Sequence, residues 1–427
     1  MNILMLSATF PYPPTRGGTS VRTFNLLKYL KQQGHHISLG TLRSPDVTFD
    51  EIEALAEWVD QLAVFNRPAD ASSPSSLRKM QQKAQRLADF AVSGVPPSVS
   101  TTHSEDMQIW VDQQIASDLF DAITCEHCVN EAYVPDDILR KVPVAVVNIH
   151  SSVYGTCAHQ LAGGMAEKPW RDRINLPLLK RYEHHYCQKF SHLVVTTTED
   201  QAQIQSLSGK NNIQVIPNGV DLEAFPYRVQ DPGGQQLVFI GAMDNLPNID
   251  AVTFLAQKIL PLIRAHYPDT TLSLVGARPT PTVQALGNLP NVTVTGKVPE
   301  MTPYLHESAV CVIPMRTGYG IKNKTLEAMA AGIPVVASDR GLEGLEVDGD
   351  RIPLRALRAN TAEEFTEAIQ RLFESIDLRR TLSANGRRMI EEGFTWAIAG
   401  KRYEQLLCTA EVSDNRDSSP RSESSRP

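Results

Sequence analysis

The stretch Pro314-Met-Arg-Thr-Gly-Tyr-Gly-Ile-Lys-Asn-Lys-Thr-Leu-Glu-Ala-Met-Ala-Ala-Gly-Ile-Pro-Val-Val-Ala-Ser338 decides the fold. It follows the short apolar run Val310–Ile313 and contains a second run, Pro334–Ala337. Between them a helical pattern fits from about Lys322 to Ala331, with Gly332 as its C-terminal stop. Strand, glycine-containing loop, helix and strand form the repeating unit of a parallel sheet. The loop with Gly318 and Gly320 brings backbone N–H groups to a helix start, where the first amides lack intrahelical partners and the dipole is positive. With Lys322 or Lys324 nearby, these amides suit an anion. Glu327, one turn beyond Asn323, is placed to accept bonds from sugar hydroxyls next to that anion. A diphosphate carrying a ribose satisfies both features.

The same alternation extends in both directions. Upstream runs are Ile3–Leu6, Ile37–Leu42, Leu62–Phe65, Ala122–Thr124, Val144–Ile149, Leu193–Thr197 and Ile213–Ile216. A second series comprises Leu237–Ile240, Leu272–Val275, Val292–Thr295 and the two runs already named. Near-continuous apolar runs of this length are what strands buried on both faces require, so each half reads as its own α/β sheet. At 427 residues the chain exceeds what one core of about 250–300 residues holds, so two domains and a cleft between them are expected. The Pro- and Gly-containing segment Pro226–Gln235 is the linker. The expected division is 1–228, 229–390, a helix at 391–412 returning to the first domain, and a disordered tail at 413–427 that is rich in Ser, Arg, Asp and Pro.

Composition narrows the function. Lys and Arg number 41 against 48 Asp and Glu, a net charge of -7, and a globally acidic chain lacks the attraction to phosphate backbones that nucleic-acid binding needs. No window reaches the roughly 18 apolar residues of a membrane span, and the opening segment lacks a basic leader, so a cytoplasmic location is expected. The pattern Leu77–Phe90 sets Met80, Ala84 and Leu87 against Arg78, Lys79, Lys83 and Arg86. A packed helix with a solvated basic face is its plain reading; peripheral contact with the inner face of an anionic membrane is the other. Six Cys do not form a secreted disulfide framework, and Cys125-Glu-His-Cys128, with no second pair, reads as buried thiols rather than a metal site. His184-His185 are adjacent, not at ligand spacing.

Two further places bear on chemistry. Gly17 and Gly18 end a loop before the helical pattern Val21–Leu30, a helix start suited to a phosphate or an anionic acceptor. His150 closes the Val144–Ile149 strand, at the carboxyl end of a parallel sheet where α/β ligand sites form, and His127 ends another strand.

The Leu326-Glu-Ala-Met-Ala-Ala-Gly-Ile-Pro-Val-Val-Ala337 block, the Ile216-Pro-Asn-Gly-Val-Asp221 block and the early Gly17-Gly18 loop together resemble the retaining glycosyltransferases of family 4, over residues 1 to about 405. The resemblance implies the GT-B architecture, two Rossmann-like doubly wound parallel-sheet domains facing a cleft. It implies a nucleoside diphosphate sugar donor on the C-terminal domain and an acceptor on the N-terminal one. The acceptor is a glycan, a lipid-linked sugar or a small molecule. No cofactor or metal is expected.

Glu327 would hold the donor ribose and Gly320, Ile321, Lys322 and Asn323 its diphosphate, with Lys324, Thr325 and Leu326 completing the motif. Gly17, Gly18, Gly241, Met243, Gly276 and Val298 complete the implied donor site, and His150 joins Glu327 as catalytic. The chain departs from the family twice. Tyr319 stands where the common signature has its first Glu, and Gly241-Ala-Met243 replaces the usual Gly-Arg, so that Lys322 or Lys324 would supply the missing cation. An epimerase of the same fold and a nucleotide-binding module without transfer activity are the alternatives.

Overall fold

The structure is a computed structural model that describes residues 1–14, 17–68, 90, 94–150, 152–164, 166, 168–318 and 320–409. The basic pattern over 77–89, Tyr319 and the tail 413–427 lie outside the described residues. The chain forms two compact units, one of Met1–Val195, Asp200–Ile216 and the residues from Gly400 onward, the other of Thr196–Glu199 and Pro217–Ala399.

The first unit holds β1 (Asn2–Ser7), β2 (His36–Arg43), β3 (Gln61–Asn66), β4 (Ala122–Glu126), β5 (Val144–Ile149), β6 (His192–Val195) and β7 (Ile213–Val215), in the order β3-β2-β1-β4-β5-β6-β7. The second holds β8 (Gln236–Ile240), β9 (Thr271–Val275), β10 (Val292–Val294), β11 (Val310–Ile313), β12 (Val335–Ala337) and β13 (Leu357–Arg358), in the order β10-β9-β8-β11-β12-β13. All strand pairs within both sheets are parallel, and in each sheet the order reverses beside its first strand, between β1 and β4 and between β8 and β11. Ligands of such sheets bind at that switch point, outside the carboxyl ends. β4, β5 and β11 are buried at every residue, which is why they read as mostly apolar runs, broken only by the buried Thr124, Glu126 and Asn148. β13 has only two residues, one of them exposed, and leaves no such run to read.

The division between the units falls at 216/217, not at the expected 228/229. Val220 N–H donates to Phe394 O at 2.8 Å, Arg228 N–H to Ala331 O at 3.0 Å, and the Arg228 guanidinium to Ser308 O at 2.8 Å. These bonds tie the segment after Ile216 to the second unit, so the Pro/Gly composition near 231 marks a turn within that unit.

The last helix, Trp396–Cys408, passes from the second unit to the first at Ala399/Gly400. Its Tyr403 is fully buried in the first unit. The Tyr403 hydroxyl donates to Glu126 Oε1 at 2.9 Å and accepts from Asn148 Nδ2 at 2.8 Å, while Arg22 donates to Asn148 Oδ1 at 3.1 Å. Burial raises the Glu126 carboxyl above its ordinary range, and Tyr403 and Arg22 pull it back. Tyr403→Phe leaves buried Asn148 and Glu126 short of a partner and is expected to lower stability by about 1–3 kcal/mol, read as a lower urea midpoint for the first unit.

Candidate functional site

In the second unit the helix Asn323–Ala330 starts where the loop from β11 ends and stops where the chain turns into β12. Its end is a Schellman motif: Gly332 at φ 78° donates to Met329 O at 3.1 Å, and Ile333 donates to Ala328 O at 3.2 Å. At its start Lys322 O accepts from Thr325 and Leu326. The Ile321, Asn323 and Lys324 amides make no hydrogen bond among the described residues, and the first turn holds no acidic residue. The amides therefore stay available to an outside acceptor.

The two lysines point to different partners. Lys324 Nζ donates to Asn248 Oδ1 at 2.8 Å and stands 5.2 Å over the Phe239 ring. The Asn248 amide is fixed by its own bond to Ala242 O at 2.7 Å. Gly241 makes room for this lysine: a Cβ there would lie 3.1 Å from Lys324 Cε, and φ is 147°. A Cβ on Gly276 would fall 1.8 Å from Gly241 O, so the ends of β8 and β9 approach more closely than a side chain permits. Lys322, by contrast, donates to Gly320 O and pairs with Glu343 at 3.1 Å, while Glu343 also pairs with Arg340 at 2.8 Å. A cavity of about 450 Å³ lined by Met315, Arg316, Arg340, Glu343 and Arg358 lies on that side of the loop, and neither Lys324 nor Glu327 lines it.

Glu327 is half-buried, and its carboxylate has no hydrogen-bond partner among the described residues. Burial raises its pKa to about 7, with Lys324 pulling the other way; burial, then the like charge of Lys322, lowers Lys324 to about 8. Two ionisable groups shifted toward neutrality by burial, beside unbonded amides at a strand's carboxyl end, mark this place as a candidate recognition site.

Other expected donor residues have different surroundings. Met243, Ile321, Leu326 and Thr325 are buried, Thr325 through a bond to Gly341 O at 2.7 Å; only their backbone faces remain for a ligand. Val298 packs half-buried against the second core. Sequence reading gave no role to Asn248, which aims Lys324, or to Asn218, whose Nδ2 donates to Asn323 Oδ1 at 2.8 Å. Asn218 lies in the Ile216–Asp221 block, and only the long-range contacts reveal the use of either residue.

In the first unit His150 follows β5, with its Nδ1 3.4 Å from Thr19 Oγ1 in the helix Gly18–Gln32 that opens beside Gly17. Its Nε2 is buried without a partner among the described residues. The His127 ring stands 5.0 Å away, on a residue held at φ 106°, and its Nδ1 accepts from Val129 N–H at 3.3 Å. Burial lowers both imidazoles, His127 to about 4 and His150 well below its ordinary range, with the His127 and Arg22 charges adding to the effect on His150. His150 is thus a neutral ring with one unused nitrogen. Cys125 and Cys128 are buried in the first core, and no group of three metal-ligating side chains occurs among the described residues.

Comparison with known proteins bears on this arrangement. Residues 16–224 match the model of Glycosyltransferase Family 4 and residues 234–375 that of glycosyl transferases group 1. The chain belongs to this family of glycosyltransferases, and its fold is GT-B. It is 29% identical over 220 residues to a phosphatidyl-myo-inositol mannosyltransferase of Propionibacterium freudenreichii, covering 48% of this chain and 52% of that protein. The chain spans about half the length of the curated relatives it matches. Among solved structures, sucrose-phosphate synthase from Thermosynechococcus elongatus has a TM-score of 0.68 at 19% identity, covering 97% of this chain and 100% of that one. Anabaena HepE in complex with UDP gives 0.63 at 14%, covering 96% and 100%.

A carboxyl whose folded pKa is raised contributes stability below its unfolded value, about 4.5, and loses it as pH rises through about 7. Glu327→Gln removes that group. Its melting temperature relative to the parent is expected to rise from pH 5 to pH 8, and a flat difference would show that Glu327 is not held at a cost.

Proposed function

We propose that the protein transfers a sugar from a nucleoside diphosphate donor to a glycan, lipid-linked or small-molecule acceptor, with retention of anomeric configuration. One observation carries the reading: the unpartnered, half-buried Glu327 carboxylate sits one turn into a helix whose first amides are unbonded and whose Lys324 ammonium is held beside them by Asn248. In this reading the diphosphate lies on the Ile321, Asn323 and Lys324 amides and on Lys324 Nζ, which stabilise the charge that develops as the leaving group departs. No metal is needed. Glu327 accepts from the ribose hydroxyls. His150, neutral and with Nε2 unused, positions donor or acceptor through a hydrogen bond. The match to family models on both halves, and the UDP named with a neighbour of the same fold, support a nucleotide-sugar donor.

A thermal-shift panel of nucleoside diphosphates and their sugars tests the donor, because a ligand of the folded state raises the melting temperature by mass action. Binding followed by transfer to an added acceptor supports the reading. Binding with no turnover leaves a nucleotide-binding module, and donor turnover without acceptor an epimerase. Lys324→Ala is expected to weaken the diphosphate at least tenfold, since a charge-assisted bond contributes about 1.5–3 kcal/mol. Lys322→Ala, which loses a bond to Glu343, should act mainly on stability; equal binding loss in both variants would refute this split. Glu327→Ala is expected to cost on the order of 3–5 kcal/mol in transition-state binding, a few hundredfold or more in kcat/KM, and activity within threefold of the parent would remove the ribose role.

A further inference from the structure

The helix Pro169–Lys189 of the first unit carries a surface that the transfer chemistry leaves unused. Its inner face is fixed by Leu179, Tyr182, Tyr186 and Cys187, all buried, so its outer face has one orientation on the unit. On that outer face Trp170 is 68% exposed and Ile174 51% exposed. With Pro177 and Arg181 they follow one row at i, i+4, i+7 and i+11. Arg173 and Lys180 flank the row, Arg171 and Lys168 stand at its start, and all four are exposed.

The helix has two acidic residues, and neither faces outward. Asp172 is half-buried and pairs with Arg171 at 2.8 Å; Glu183 is buried, accepting from Ser152 Oγ at 2.5 Å and Val153 N–H at 2.6 Å. In a chain of net charge -7, this leaves a stretch of helix surface carrying only cations and large apolar groups. Carboxylates return at the last turns, where Asp136 stands 3.4 Å from both His185 and Lys189, and these mark the end of the surface.

We propose that the outer face of Pro169–Arg181 docks on an anionic lipid bilayer. Charge complementarity selects an anionic surface. Its layout selects a bilayer over an acidic protein: a single convex helix mixes indole, branched alkyl and guanidinium groups along one row, whereas a protein interface sets an apolar centre inside a polar rim. The indole sits at headgroup level, and the arginines reach the phosphates. This inference is independent of the transferase reading, because lipid binding is measured without donor or acceptor.

The test is co-sedimentation of the full chain with vesicles of phosphatidylcholine alone, or of phosphatidylcholine and phosphatidylglycerol in equal parts. Binding to the mixed vesicles at low salt, loss of it at high salt, and a blue shift of tryptophan emission that Trp170→Phe abolishes are expected. Arg173→Ala, Lys180→Ala and Arg181→Ala combined should weaken binding on the order of a hundredfold, from about fivefold per basic residue near such a surface. None of the three has a hydrogen bond or ion pair among the described residues, so the melting temperature should stay the same. Lys297→Ala, Arg380→Ala and Arg388→Ala combined change net charge equally at exposed sites of the second unit and should leave binding intact. Failure to bind the mixed vesicles overturns the proposal. So does equal loss in the two triple variants, or retention of binding in the helix variant.

Discussion

Parallel pairing of every strand in the two sheets is the constraint on which the rest depends. It places the carboxyl ends of all strands in a unit along one edge, with the loops leaving them and the starts of the helices that follow. Unbonded amides at a helix start, glycines where two strand ends nearly touch, and a histidine just past β5 then occur along these edges as a consequence of topology. In the second unit the close approach of Gly241 and Gly276 brings β8 and β9 near enough for the Lys324 stem to lie against the first of them. A side chain at Gly241 would crowd the lysine, and one at Gly276 would collide with the Gly241 backbone.

The charges along these edges are held differently according to use. Arg22, Glu126, Asn148 and Tyr403 form a buried network whose members bond one another, and it ties the last helix to the first unit. Lys322, Glu343 and Arg340 likewise satisfy one another. Glu327 and Lys324 do not: burial shifts both toward neutrality, and the carboxylate has no hydrogen-bond donor among the described residues. A half-buried carboxylate without donors costs stability, and that is the character of a candidate ligand contact. His150, with one ring nitrogen weakly matched to Thr19 and the other unmatched, has the same character in the first unit.

The helix Pro169–Lys189 shows a third use of charge. Its cations face solvent beside an exposed tryptophan and isoleucine, and its carboxylates are turned inward or paired. No helix among the described residues is long and apolar enough to cross a membrane.

The sequence by itself determined the two parallel sheets, the strand-loop-helix-strand unit around Glu327, its Gly332 stop and the strand-end place of His150. Each is written in local pattern: apolar runs of fixed length, a glycine where φ must be positive, a carboxylate one turn into a helix. Local pattern carried no information about which lysine reaches Gly241, because Lys322 and Lys324 lie on the same helix start and differ only in what packs against them, Glu343 in one case and Asn248 in the other. It also misplaced the division between units, since the composition near Asp231 marks a turn while the bonds of Val220 and Arg228, to residues far along the chain, decide where the second unit begins. Contacts between residues distant in sequence settled both points, and such contacts exist only once the sheets have formed.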